Sequence, residues 1–233
     1  MTKTLPHAPG VSDFAHQGRR TAPATLIAAA TVWLLVCGAG CNLLTPLAFV
    51  GNPQQKVPAE FDKLRNTRTA VLVWAEPETI FHYPHVRFEL SAAVRGHLLA
   101  KLNEGESRLE VVDPSDVEDF VQKRRSAAID PVAVGRHFEC DYVIFIELLR
   151  FQIRDTDAPE LLHAKVDAAV SVHDVRADPD QSMRYDVSSV ETVHPAGGPV
   201  LMSPTNSLII RQQVYEKFAE EVARKFYDHT VDL

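Results

Sequence analysis

The sequence predicts an α/β domain in which a mixed β-sheet is covered by helices. Three observations lead to this prediction. Short β-branched apolar runs indicate buried strands, two Asp-Pro pairs mark helix starts between those runs, and apolar residues spaced by four indicate an amphipathic C-terminal helix. The predicted order of elements is β-α-β-α-α-β-β-β-α. About 190 residues follow the apolar N-terminal segment, which is enough for one domain.

The first part of the predicted domain begins near Thr67 and opens with a strand and a long helix. Residues 69–74 are a short β-branched apolar run, which indicates a buried strand. A loop is predicted after this strand, and a helical pattern starts at Arg87. Apolar residues spaced by four form one stripe along this predicted helix: Leu90, Val94, Leu98 and Leu102. Residues 109–112 form a second short strand, so that strand and helix alternate.

Two Asp-Pro pairs then predict helix starts, because aspartate caps free N–H groups and proline is pre-set for the first helical position. Asp113-Pro114 starts one helix, and Asp130-Pro131 starts a brief second one. Residues 142–146 follow as the most apolar strand of the domain, which we expect to be the buried centre of the sheet.

The last part of the domain combines a hairpin with a terminal helix. Residues 162–173 alternate apolar and polar side chains, which indicates a strand with one face toward solvent, and residues 183–193 are its weaker return strand. Residues 194–206 are predicted as a loop rich in proline and glycine. The final helix carries one apolar stripe, which we expect to pack on the sheet. The stripe consists of Ile210, Val214, Phe218, Val222 and Phe226.

The N-terminal segment has the layout of a secretory signal. Arg19-Arg20 precede an uncharged apolar run at residues 21–40, which ends in small residues directly before Cys41. This ending resembles the lipobox of bacterial lipoproteins, where the peptide is cut before the cysteine and the cysteine receives acyl chains such as palmitate. The predicted divisions are residues 1–40 (signal peptide), 41–66 (acylated tether) and 67–233 (α/β domain).

Other interpretations of residues 21–40 stay open: an uncleaved membrane anchor, a secretory signal without lipid, and a soluble helix. A membrane-spanning helix needs about 20 apolar residues, which this run reaches only if its threonines, its glycines and Pro23 are counted. Cys37 is a second candidate for acylation, since Leu34 lies three residues before it. However, Val36 is bulkier than the small residue preferred next to the cut.

The charge of the chain limits the class of partner. The full chain has a net charge of −7, and removing residues 1–40 takes away three basic residues and one acidic residue, which leaves −9. An acidic domain is a poor nucleic-acid binder, because phosphates must be neutralised by a basic face. Anionic lipid would also repel it, so residence at a membrane would depend on the acyl chains at Cys41.

The sequence contains no recognisable catalytic or cofactor-binding motif. A nucleophile elbow, a phosphate loop and an HExxH zinc motif are all missing. Two histidine pairs, His82 with His85 and His163 with His173, each lack an evident third metal ligand. We therefore predict no catalytic residue, no metal site and no cofactor.

If Cys41 is acylated, Cys37 leaves with the signal peptide and Cys140 is the only thiol left, which excludes a disulfide within the chain. Its neighbours Glu139 and Asp141 should raise the pKa of the thiol, so we expect a packed and inert residue.

One acidic cluster is expected to complement the positive N-terminal end of its helix. That cluster consists of Asp116, Glu118 and Asp119.

Three segments of the domain carry a family resemblance: residues 70–74, the strand end at 111–114, and the segment VGRHFECDYVI at 134–144. Together they resemble the curli secretion channel family and its relatives, which include small periplasmic lipoproteins and the N-terminal domain of the Tol-system translocation protein. The resemblance extends over residues 67–228 and implies a periplasmic lipoprotein built on the same core. A pore is not expected, because lipid would reject the charged outward face at His163, Lys165 and Asp167.

These observations predict a lipid-anchored, non-enzymatic protein of the cell envelope, held at the outer rather than the inner membrane with its domain in the periplasm. It would bind an envelope protein or a second copy of itself during assembly, secretion or trafficking. Two alternatives stay open: the auxiliary lipoprotein of an ABC-type lipid-transport system, and an envelope enzyme. A flat apolar patch on the structure would favour partner binding, and a large apolar pocket would favour lipid transport. A cluster of His, Asp and Glu side chains would favour an enzyme.

Overall fold

A mixed β-sheet forms the centre of the computed structural model, which describes residues 54–124, 129–155 and 157–232. The strands are β1 (Gln54–Val57), β2 (Arg68–Ala75), β3 (Glu110–Val111), β4 (Tyr142–Arg154), β5 (Leu161–Asp174), β6 (Met183–His194), β7 (Val200–Leu201) and β8 (His229–Asp232). The helices are α1 (Pro77–His82), α2 (Val86–Leu102), α3 (Pro114–Arg124), α4 (Pro131–His137) and α5 (Pro204–Arg224). The sheet has the strand order β3-β2-β4-β5-β6, β7 pairs with β5, and β1 pairs with β8 in a separate ribbon.

The sheet has a parallel half and an antiparallel half, which confirms the predicted α/β class. β2 runs parallel to β3 and β4, and the crossovers between these strands contain helices. β4, β5 and β6 form an antiparallel meander. β4 therefore lies in the middle of the strand order, as we expected for residues 142–146.

One face of the sheet is covered by α2 and α5, and most of the core lies there. The predicted stripe of the last helix points into this core: Val214, Phe218 and Val222 are completely buried. Phe226 is buried just after the helix ends. Spacing by four keeps these side chains on one side of the helix, so the predicted packing on the sheet is confirmed. Full burial of one such side chain contributes about 1.5–3 kcal/mol to stability.

The other face of the sheet carries α3 and α4, which lie mainly over β2 and β4. Phe145 packs against this smaller core and is only half-buried, whereas its neighbours Ile144 and Ile146 belong to the first face and are completely buried. The expectation that the whole of residues 142–146 is buried was therefore wrong for Phe145, and Tyr142 at the start of the strand is also only partly buried. Side chains alternate between the two faces of a strand, and the second face has less cover.

The folded domain begins earlier than the predicted start at Thr67. β1 pairs with β8 in antiparallel register, and both Phe61 and Leu64 are buried in the core. The centroid of the Phe61 ring lies 5.4 Å from that of the Tyr142 ring. Residues 54–66 are therefore not a tether, because strand hydrogen bonds and the burial of two apolar side chains fix them to the domain.

Two segments predicted as loops contain regular structure. α1 lies in the loop after β2, and β7 with the first turn of α5 lies within residues 194–206. Both helices start with a proline, whose fixed φ suits the first helical position. The Ser203 side chain caps α5 by accepting a hydrogen bond from the Asn206 N–H at 3.1 Å.

The side of β5 that was predicted to face solvent is buried at one end of the strand. Lys165 and Asp167 are partly exposed, but Ser171 and His173 are buried. The imidazole of His173 forms hydrogen bonds with the hydroxyls of Ser171 and Ser182, each at 3.1 Å. Burial lowers the pKa of His173, because a low-dielectric environment disfavours the charged imidazolium.

Candidate functional site

A pocket lies at the end of the domain where β4 and β5 project beyond β2. The last residue pair between β2 and β4 joins Ala75 to Leu148, and β4 continues to Arg154 beside β5. α1 and the first turns of α5 close over the projecting strands and leave a cavity of about 540 Å³, which we call the α5 pocket. It is lined by His82, Tyr83, Phe151, Ile153, Arg154, Leu162, Ser207, Leu208 and Arg211.

Aromatic packing holds the wall of the α5 pocket in place. The ring of Tyr83 meets that of Phe151 edge-on, with 4.7 Å between the ring centroids. Phe151 in turn stacks on Tyr215, with a centroid distance of 5.6 Å. These contacts join the end of α1, the projecting part of β4 and the middle of α5. Phe151, Ile153 and Leu162 are buried, so the floor of the pocket is continuous with the core.

The ionisable side chains that line the α5 pocket include bases but no carboxylate. Arg154 forms no ion pair within the ranges that the structure describes. Arg211 approaches the Glu89 carboxylate only to 3.9 Å, which is longer than a hydrogen bond, so its guanidinium keeps donors available. His82 adds a third nitrogen base to the wall.

Large apolar side chains are exposed on the segments that surround the pocket. Phe81, Leu201 and Leu208 are 81%, 71% and 62% exposed, and Met202 and Ile209 are 43% and 46% exposed. We call these five residues the apolar rim. Monomeric soluble domains rarely expose large continuous apolar patches without a functional reason.

A second groove lies between α2 and α5. Its volume is about 600 Å³, and its wall includes Ala92, Ala93 and Tyr215. Leu208 and Arg211 line both this groove and the α5 pocket. Leu208, one of the five residues of the apolar rim, therefore borders both depressions.

The structure does not bring the histidine candidates together. His82 lines the α5 pocket, while His85 directly precedes α2. His163 pairs with Asp155 at 3.5 Å, and His173 lies ten residues farther along β5 between its two serines. A strand rises about 3.3 Å per residue, so His163 and His173 lie roughly 33 Å apart. Across the described ranges, no three His, Cys, Asp or Glu side chains form a group that could hold a metal.

Cys140 is buried, and its burial raises the pKa of the thiol to about 11. Asp141 and Glu110 add smaller effects in the same direction. The pKa is thus raised as predicted, but burial is the main cause rather than the acidic neighbours. A thiol with this pKa carries almost no thiolate at neutral pH and is a poor nucleophile.

The acidic cluster on α3 makes ordinary helix contacts. Glu118 forms an ion pair with Arg87 and accepts a hydrogen bond from Gln122 at 2.9 Å. Asp116 lies in the first turn, where its charge complements the positive end of the helix dipole. Hydrogen bonds from the hydroxyl and N–H of Ser115 lower the pKa of Asp113, which precedes this helix.

The predicted acylation site Cys41 lies outside the described residues, as do Cys37 and the rest of the segment before residue 54. For the part of the chain that the structure describes, we find that every helix is too short or too polar to cross a bilayer.

The sequence matches no protein-family model and no curated protein. Solved structures show a distant likeness. A lipoprotein from Neisseria meningitidis is 14% identical with a TM-score of 0.38, over 64% of this chain and 95% of that one. A PelC dodecamer from Paraburkholderia phytofirmans is 9% identical with a TM-score of 0.39, over 73% and 98%. A minor lipoprotein from Acinetobacter baumannii is 8% identical with a TM-score of 0.29, over 69% and 91%. At these scores the likeness carries nothing about ligand, partner or activity, and the resemblance to the curli secretion channel family stays a prediction.

Proposed function

We propose that this chain is a lipid-anchored protein of the cell envelope that acts by binding another envelope protein through the apolar rim. The observation that carries the proposal is the exposure of five large apolar side chains at one end of the domain. Acylation at Cys41 would hold the chain at a membrane, and we place it at the outer rather than the inner one, which fractionation of the two membranes would test.

The energy available at the apolar rim is large enough for binding. Burying one leucine, isoleucine, methionine or phenylalanine side chain contributes about 1.5–3 kcal/mol. A partner that covered three of the five would gain about 5–9 kcal/mol before the cost of association is subtracted. The two depressions beside Leu208 would receive side chains of that partner, as the central pockets of protein interfaces do.

The position of the rim favours a protein as its occupant. The backbone N–H groups of Glu60 and Phe61 donate to the carbonyl of Lys225, at the C-terminal end of α5, with distances of 2.9 and 3.0 Å. The apolar rim surrounds the first turns of the same helix. α5 has 21 residues and a length of about 31 Å. The described chain therefore begins, at Gln54, near the end of α5 that is remote from the rim.

Site-specific photo-crosslinking in intact cells would test this proposal. A crosslinking amino acid at position 208 should give one discrete adduct with an envelope protein. The matched position is Met183, which is 54% exposed at the opposite end of the hairpin formed by β5 and β6 and should give no such adduct. Phe81→Ser and Leu201→Ser should each weaken the adduct formed at position 208.

Two outcomes would overturn the proposal. Adducts of the same size and yield from positions 208 and 183 would mean that the contact is not specific to the rim. An adduct between two copies of this chain would show that the rim is a self-association surface instead.

A further inference from the structure

We propose that the α5 pocket binds a single-chain anionic amphiphile, with the acyl chain against its apolar wall and the anionic head between Arg154 and Arg211. The head group would be a carboxylate or a phosphate. This inference does not rest on the proposed function, because the pocket could hold such a ligand whether or not a protein binds the rim.

The charge of the pocket is the first argument. The chain is acidic, with a net charge of −7, yet the wall of this pocket carries two arginines, one histidine and no carboxylate. Arg154 is without an ion pair in the described part of the chain, and Arg211 reaches Glu89 only at 3.9 Å. Guanidinium groups with free donors bind carboxylates and phosphates by paired, charge-assisted hydrogen bonds. The basic wall therefore complements an anion.

The apolar wall is the second argument. Phe151, Ile153 and Leu162 form a buried floor, and the Tyr83 ring closes one side through its edge-on contact with Phe151. Leu208 borders the mouth and is exposed. A volume of about 540 Å³ lies within the range of small-molecule sites in proteins, which is about 300–1,000 Å³. An apolar floor beneath basic side chains matches a ligand that has an alkyl chain and one charged end.

Calorimetric titration of the mature chain, residues 41–233 with Cys41→Ser, would test this inference. The probes are sodium laurate, dodecyl phosphate and dodecyltrimethylammonium, each used below its micelle concentration. Laurate, dodecyl phosphate or both should bind at one site, at least about tenfold more tightly than the cation with the same alkyl chain, since one charge-assisted hydrogen bond is worth at least that factor. Preference for one of the two anions would identify the head group.

Arginine variants connect the binding to the pocket. Arg154→Gln and Arg211→Gln should each weaken binding of the preferred anion about tenfold. Arg65→Gln is the matched control, because Arg65 lines a different cavity beside β8 and should leave the affinity unchanged. Thermal melts of all three variants check that each is folded. Equal affinity for the cation and the anions, or full affinity in the Arg154→Gln, Arg211→Gln double variant, would overturn the inference.

Discussion

Replacing Phe218 by alanine tests the assignment of the main core. Phe218 lies in the middle of α5 and is completely buried between that helix and the sheet. Removing a buried phenylalanine side chain costs about 3–5 kcal/mol, because its apolar contacts are lost and a cavity remains. Domains are stable by only about 5–15 kcal/mol, so this substitution should remove a large part of the free energy of unfolding.

Phe145→Ala is the matched control, since it deletes the same atoms from a half-buried position on the other face of the sheet. We expect it to cost about 1–2 kcal/mol. Urea unfolding of the mature chain with Cys41→Ser, followed by far-ultraviolet circular dichroism, gives both free energies. An equal or larger loss for Phe145→Ala would refute the conclusion that the face under α2 and α5 carries the main core.

Three further predictions concern the anchor, the last helix and pH. Cys41→Ser should abolish lipid labelling and signal cleavage, and Cys37→Ser should preserve both; labelled Cys41→Ser protein would contradict the assignment. Deleting residues 208–233 should remove the cooperative thermal melt, and a truncated domain that melts near the full-length temperature would show that α5 is dispensable. Burial holds the pKa of His173 below the ordinary 6.5, so the unfolded chain takes up its proton first and stability should fall as pH drops below about 6.5. His173→Gln should flatten this decline in urea-unfolding free energies between about pH 7 and 5, and an unchanged slope would exclude His173 as its source.

The elements with a periodic or capping signal were predictable from sequence. The Asp130 side chain accepts a hydrogen bond from the Val132 N–H at 2.9 Å, as its place before a proline predicted. β1 was not predictable, because four residues reading QQKV have no apolar periodicity and the partner strand β8 lies far away in the sequence. Such a strand is specified by its pairing rather than by its own composition.

The candidate site was only partly predictable, because four separate elements build it. Tyr83, Phe151, Leu162 and Leu208 are scattered over the chain and meet only in the fold. One signal was available: the stripe of α5 starts at Ile210 and recurs every four residues, so two large apolar residues immediately before it are off the stripe. Apolar residues on the polar side of an amphipathic helix are the pattern of a contact surface.

The attachment of the N-terminal strand to the end of α5 has a mechanical consequence. A pulling force on the upstream chain would enter the domain at Gln54 and pass through residues 58–60 to Phe61, whose ring is wedged between Tyr142 and Phe226. The load would thus fall on the C-terminal turn of α5 and on the bonds to Lys225. On β4, Phe151 of the pocket floor lies nine residues from Tyr142, roughly 30 Å along the strand, so tension that reaches Phe61 should leave the shape of the α5 pocket unchanged.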